Sequence, residues 1–183
     1  MSGVLAPRTD ILPQSQRRLW PQLKATTDLG FVLYGGTAIA LRLGHRQSVD
    51  FDFFSERPLD RAAITAALAF VPQATALQDQ RDTLTLLVTD GESQSAQVKV
   101  SFFGSVGFGR VGTPDVTADG VLQVASLADL MATKLKVILQ RAEAKDYRDI
   151  AAMLSDGASL SFGLASARQI TLRSAQIRLR SSP

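Results

Sequence analysis

Tyr34-Gly-Gly-Thr-Ala-Ile-Ala-Leu-Arg-Leu-Gly-His-Arg-Gln-Ser-Val-Asp-Phe-Asp-Phe-Phe54 is the stretch that decides the fold. A short apolar run, Phe31 to Tyr34, stops at Gly35-Gly36. Thr37 to Leu43 then reads as a helix closed by Gly44, because a glycine just past the last apolar turn is the usual helix stop. From Ser48 to Phe54, Asp50 and Asp52 alternate with Val49, Phe51 and Phe53, the period of a strand with one polar and one apolar face. The unit is strand, glycine turn, helix, strand. Carboxylates at i and i+2 on a strand lie on one face with Cα atoms roughly 6–7 Å apart, close enough to share a divalent cation. Phe51, Phe53 and Phe54 are expected to anchor the strand in the core and to desolvate those carboxylates, a cost that a hard cation such as Mg²⁺ relieves. Gly35-Gly36-Thr37 offers bare backbone at a helix N-terminus, where N–H groups and the helix dipole favour phosphate oxygens. Thirteen residues separate Gly36 from Asp50, enough for one helix and a return to the sheet.

Outward from this unit the chain reads as mixed α and β elements with no internal repeat. Gln14 to Thr27 is helical in pattern, with Leu19, Trp20 and Leu23 on its apolar side and a break at Pro21. Asp60 caps a helix over Arg61–Phe70. Thr83–Thr89 and Gln97–Phe103 flank Asp90-Gly91 and predict a β-hairpin with a long connection. Gly104 to Asp119 reads as a glycine-rich loop. Ser126-Leu-Ala-Asp129 resembles a capping box and opens the longest helical pattern, to about Leu154 and in one piece or two. The expected architecture is an α+β, mixed β-sheet flanked by α-helices. It forms a single domain over 1–167, with the sheet core at about 30–125 and the helical part at about 126–167, followed by a basic tail over 168–183.

Composition narrows the chemistry. The 183 residues contain no cysteine and one histidine, His45, which excludes disulfide frameworks, thiolate zinc sites and multi-histidine metal cages. No stretch is apolar enough to suggest a membrane span or a secretion signal, so a cytoplasmic protein is expected. The net charge of +3 is unevenly placed. After Gly157 come Arg168, Arg173, Arg178 and Arg180 without an acid, leaving residues 1–157 with sixteen basic and seventeen acidic side chains. A short basic end of this kind is able to bind RNA phosphates or to remain solvated.

The glycine turn and the Asp-x-Asp strand resemble the signature of the polymerase-β-like nucleotidyltransferase superfamily. The wording from Tyr34 to Phe54 is similar to the AbiEii/AbiGii toxin family within it. A second block agrees: Asp129-Leu-Met-Ala-Thr-Lys134, Arg141, and Lys145-Asp146-Tyr-Arg-Asp149. The resemblance implies transfer of a nucleoside monophosphate from an NTP to an acceptor hydroxyl, a tRNA 3′ end in some relatives, and a cognate antitoxin as partner. By position it makes Asp50, Asp52 and Lys134 catalytic, with Asp50 and Asp52 holding Mg²⁺. It has Gly36 and Thr37 hold the triphosphate and Lys134 touch phosphate. Gly35, Arg46, Ser48 and Arg141 are further nucleotide-binding candidates, Arg46 for phosphate or for a carboxylate and Ser48 for a hydrogen bond that orients the loop before Asp50.

Two physical readings accompany the resemblance. On one continuous helix Lys134, Arg141 and Lys145 would fall within a stripe roughly 40° wide, three cations on one face. Asp146 and Asp149 would then hold cations in place, accepting bonds from Arg42, Arg46 or Arg141. The third carboxylate usual in active relatives would fall within Val98–Phe102, yet Lys99 and Ser101 stand on that strand's polar face. There Lys99 is able to substitute its ammonium for a metal, or an acid such as Asp82 or Asp129 must compensate. The alternative reading is therefore a catalytically reduced fold kept as a nucleotide- or partner-binding module.

Overall fold

A computed structural model describes residues 3–89, 97–107, 109–141 and 143–168. The Asp90-Gly91 turn and the basic tail beyond Arg168 lie outside the described residues. In chain order the elements are β1 (Val4–Leu5), α1 (Gln14–Leu19), α2 (Ala25–Asp28), β2 (Val32–Tyr34), α3 (Gly35–Leu43), β3 (Asp50–Phe54) and α4 (Arg61–Ala67). They continue with β4 (Thr75–Gln80), β5 (Thr83–Thr89), β6 (Gln97–Phe103), β7 (Asp115–Thr117), β8 (Gln123–Val124), α5 (Leu127–Gln140) and α6 (Ala144–Ser155). All eight strands form one mixed sheet in the order β1-β7-β8-β2-β3-β6-β5-β4. No described helix is long and apolar enough to cross a membrane.

The centre of the sheet follows from alternation. β3 pairs with β2 antiparallel and with β6 parallel, and β6 pairs with β5 antiparallel. In this register Phe51, Val100 and Leu86 form one cross-strand row, and Phe53, Phe102 and Leu84 another. All six side chains are buried. Phe53 and Phe102 stack with centroids 5.5 Å apart, and Phe31 and Trp20 extend the row at 5.2 Å from Phe102 and 6.4 Å from Phe51. Trp20 lies in a 3-10 turn, Trp20–Lys24, that interrupts the expected Gln14–Thr27 helix at Pro21, where a missing N–H and the ring clash stop a regular helix.

Local chemistry sets the other boundaries. The Asp60 carboxylate accepts from the Ala63 N–H at 2.9 Å, although α4 stops three residues short of Phe70. Ser126 Oγ accepts from the Asp129 N–H at 3.1 Å. The Asp129 carboxylate reaches back to the Ser126 hydroxyl, from which it accepts at 2.7 Å. The same carboxylate accepts from Val111 N at 2.7 Å and Gly112 N at 3.1 Å, tying the preceding loop to the start of α5. The long helical pattern divides at Arg141, whose backbone is extended at φ −151° and ψ 138°. Helical backbone resumes over 160–168.

The core row makes one stability prediction. Phe102→Ala should destabilise the fold by about 3–5 kcal/mol, the usual cost of truncating a fully buried aromatic; urea denaturation followed by circular dichroism measures it, and a loss below about 1 kcal/mol would mean that this row is not the core.

Candidate active site

The face of the central strands opposite the core is polar. Asp50 lies beside Lys99, and Asp52 beside Ser101 and Tyr34. β2 ends at Tyr34 and α3 begins at Gly35 without a linker, which a left-handed Gly35, φ +76°, makes possible. A Cβ built on Gly35 would sit 2.9 Å from Asp52 Oδ2, and one on Gly36 would strike the Arg46 guanidinium and lie 3.2 Å from Ser48 Oγ. The glycines thus leave room for the Asp52 carboxylate on one side and for a cation on the other. The turn and both carboxylates open onto one cleft of about 700 Å³, roofed by the C-terminal half of α5.

Gly35, Gly36, Arg46, Ser48, Asp50, Asp52, Lys134 and Arg141 all line this cleft, whereas Thr37 does not. Its buried hydroxyl bonds Ser48 Oγ at 2.8 Å and the Asp50 carbonyl, fastening the helix start to the strand. Burial, then the neighbouring Asp50 charge, raises the Asp52 pKa; Lys99, a hydrogen bond from Ser101 and Lys134 pull it back. Lys99 Nζ stands 3.0 Å from Asp50 Oδ2, so an ammonium occupies the flank on which the third carboxylate is expected. Neither proposed substitute supplies one. Asp129 is spent on the loop at Val111 and Gly112, and Asp82 accepts from Ser105 Oγ at 2.9 Å.

Two expectations need correction. Lys134, Arg141 and Lys145 share no helical stripe, because α5 ends before Arg141; they reach the same cleft from two helices and the bend between them. Arg141 and Lys145 pair with Glu143 at 2.6 and 2.8 Å. Phe54, expected in the core with Phe51 and Phe53, projects to the other face in line with Asp50 and Asp52 and lines the cleft. Strict period-2 counting from Asp52 carries that signal, and applied to Lys99 and Ser101 it finds Phe103 as well.

Behind the cleft lies a buried charge cluster. Lys134 Nζ is 2.7 Å from both Asp146 Oδ1 and Asp149 Oδ2. Asp149, with a fully buried side chain, also accepts from Arg46 at 2.6 and 2.9 Å and meets His45 Nε2 at 2.7 Å. Of the arginines expected to meet these acids only Arg46 does so. Arg42 is bound to Asp115 at 2.7 Å and to the Ala125 carbonyl. Burial alone would raise the Asp149 pKa, but hydrogen bonds from Arg46, Lys134 and His45 outweigh it and hold the carboxyl below its ordinary range.

No group of three or more His, Cys, Asp or Glu side chains suited to a metal occurs among the described residues. Mg²⁺, however, is commonly held by one or two carboxylates while substrate phosphates complete its shell. Asp50 and Asp52, mutually repulsive and next to the bare backbone of the Gly35–Gly36 turn, fit that donor set.

A mixed sheet with a glycine turn facing an Asp-x-Asp strand defines a nucleotidyltransferase-like protein. Residues 19–181 match the family described as "Nucleotidyl transferase AbiEii toxin, Type IV TA system", and the chain belongs to that family. The uncharacterized protein aq_aa25 of Aquifex aeolicus (strain VF5) is 34% identical over 122 residues, 66% of this chain and 55% of that protein; the match therefore spans about half of the relative's length. Among solved structures, JHP933 from Helicobacter pylori superposes with a TM-score of 0.60 at 16% identity, over 92% of this chain and 94% of that one. The antibiotic-resistance factor ANT(2'')-Ia superposes with a TM-score of 0.58 at 12% identity, over 91% and 94%. These likenesses show the fold.

Two outcomes follow from the geometry. Gly35→Ala forces a side chain into left-handed backbone and against Asp52; it should cost about 1–2 kcal/mol from the backbone alone, read as a lowered melting temperature. Asp149→Ala removes the carboxylate that Arg46 and His45 share, leaves Lys134 with Asp146 alone, and should cost about 3–5 kcal/mol at pH 7. Because the folded Asp149 pKa is depressed, its contribution is complete above the ordinary aspartate value and is lost as pH falls through the folded one. Denaturation curves should therefore show the gap between variant and parent closing in acid, and a gap independent of pH would contradict the assignment.

Proposed function

We propose that this chain is a Mg²⁺-dependent nucleotidyltransferase that moves a nucleoside monophosphate from an NTP to an acceptor hydroxyl. The observation that carries the reading is the close approach of Gly35 to Asp52, which brings the start of α3, backbone of a kind suited to phosphate, against the paired carboxylates. In this reading the N–H groups at the start of α3 and the Arg46 guanidinium take the terminal phosphates, which leaves the α-phosphorus beside Asp50 and Asp52. Mg²⁺ held by Asp50 and Asp52 supplies charge cancellation and polarisation of the phosphoryl oxygens. The acceptor oxygen bonds to the α-phosphorus, the bond to the bridging oxygen of the β-phosphate breaks, and pyrophosphate leaves with that electron pair. The hydroxyl proton passes to a carboxylate oxygen of Asp50 or Asp52. Lys134, fixed by Asp146 and Asp149, and Arg141 add positive potential along the path of the phosphates, which suits a reaction driven by positioning and charge cancellation.

Family membership supports an antitoxin as partner and a cytoplasmic site of action, where NTPs and RNA are abundant. A tRNA 3′ end is the acceptor we favour. The second reading, a nucleotide- or partner-binding module without turnover, is favoured by one feature: Lys99 neutralises Asp50, and Ser101 replaces an acid beside Asp52.

Incubation with each α-labelled NTP, Mg²⁺ and total RNA separates the two. Label should enter RNA, vanish on chelation of the metal, and fall by at least about a hundredfold in Asp50→Ala, consistent with loss of several kcal/mol of transition-state stabilisation. Metal-dependent NTP binding without any transfer would select the module.

A further inference from the structure

The proposed reaction leaves one end of the cleft unused. β3 presents Asp50, Asp52 and Phe54 to the cleft, and β6 presents Lys99, Ser101 and Phe103 in register beside them. The two strands therefore place an aromatic ring at the same end of an otherwise polar row. Phe54 and Phe103 stack with centroids 4.7 Å apart and planes 26° from parallel; Tyr34 meets Phe54 edge-on at 5.2 Å. The opposite face of the same strands already buries Phe51, Phe53, Val100 and Phe102, so this second set of rings lies on the other face of the sheet, with Tyr34 buried and Phe54 partly buried behind Phe103. Phe103, only partly buried, ends the row of rings and lines the cleft.

Position gives the rings a use. Tyr34 is paired with Asp52 and Val32 with Phe54, so the Gly35–Gly36 turn lies toward the Asp50 end and the rings lie at the other end. A phosphate chain seated on the turn places its α-phosphorus near the carboxylates. From Asp52 to Phe54 the strand advances roughly 6–7 Å, comparable to the reach of a ribose between its 5′-phosphate and its base. Base-on-aromatic stacking tolerates any base, since each has a π-face.

We infer that Phe103, backed by Phe54 and Tyr34, is the stacking platform for the nucleobase of the incoming NTP. The inference rests on the nucleotidyltransferase reading of the cleft and adds the residue that distinguishes a nucleotide from a bare polyphosphate. It also assigns the platform affinity for a planar base without selection among bases by hydrogen bonding.

The test compares binding of Mg²⁺ with an α,β-methylene NTP analogue against Mg²⁺ with inorganic tripolyphosphate, by calorimetry, in the parent chain, Phe103→Ala and Phe103→Tyr. In Phe103→Ala the analogue should bind about five- to a hundredfold more weakly while tripolyphosphate binds as before; Phe103→Tyr should retain the parent affinity. Unchanged analogue binding in Phe103→Ala would overturn the platform, and so would a parallel loss of analogue and tripolyphosphate, which marks a packing residue. A parent chain that binds tripolyphosphate as tightly as the analogue also overturns it, leaving the phosphate site intact. If the parent binds neither ligand, the nucleotidyltransferase reading fails first and the platform with it.

Discussion

The register of β3 against β6 is the constraint on which both core and cleft depend. Side chains on a strand alternate with a period of two, so one pairing fixes two surfaces at once. With Phe51 opposite Val100 and Phe53 opposite Phe102, Asp50 and Asp52 necessarily stand beside Lys99 and Ser101 on the other face. A slip by one residue would turn both carboxylates into the hydrocarbon interior and expose two phenyl rings. Because the parallel pair lies in the middle of the sheet, flanked by β2 and β5, such a slip would also break the pairing on either side. The hydrophobic energy that holds the core together is thus the same energy that aims the carboxylates, without a loop or lid to position them.

The second organising contact is electrostatic. Asp149, Asp146, Lys134, Arg46 and His45 bring together α6, α5 and the loop after α3, segments distant in sequence. Buried ion pairs seldom exceed well-packed apolar groups as stabilisers, since desolvation consumes much of the Coulomb gain, whereas removing one partner is costly. The relevant effect here is placement. Both donors of the Arg46 fork go to Asp149, so the guanidinium is held over Gly36, where a side chain would collide with it. A cation and the open backbone of a helix start then converge on the same small volume, an arrangement suited to anions.

Much of this was legible in the sequence, in proportion to how strongly each segment contrasts its two faces. β3, β5 and β6 alternate, which fixes them to within a residue or two, and Asp60, Gly44 and Ser126 mark helix ends by known capping chemistry. β4 gave no signal because all six of its residues are exposed, leaving no apolar side to count. β1, β7 and β8 have two or three residues each, too few to show any period. The division between α5 and α6 carries neither glycine nor proline; an extended Arg141 and a Glu143 that pairs with both flanking cations replace the usual breakers. The pairing of Asp50 with Lys99 could be suspected from spacing, while the convergence of Arg46 and Lys134 on Asp149 is a product of tertiary packing that no local pattern records.

Charge distribution connects these features. Residues 1–157 as a whole carry slightly more acid than base, yet among the described residues the cleft is lined by Arg46, Lys99, Lys134, Lys136, Arg141 and Lys145 against only Asp50 and Asp52 as acids. Asp146, Asp149 and Glu143 balance most of those cations from outside the lining. The positive groups are therefore affordable to the folded chain yet remain presented to an entering ligand. A concave surface with low-dielectric walls concentrates such a field and raises the local concentration of polyanions. In the proposed reaction a triphosphate entering with a divalent cation would meet both halves of the arrangement, the arginine and lysines being suited to its oxygens and the two aspartates to its metal. Neither component alone would satisfy both, so that reading has the nucleotide and the metal bind cooperatively.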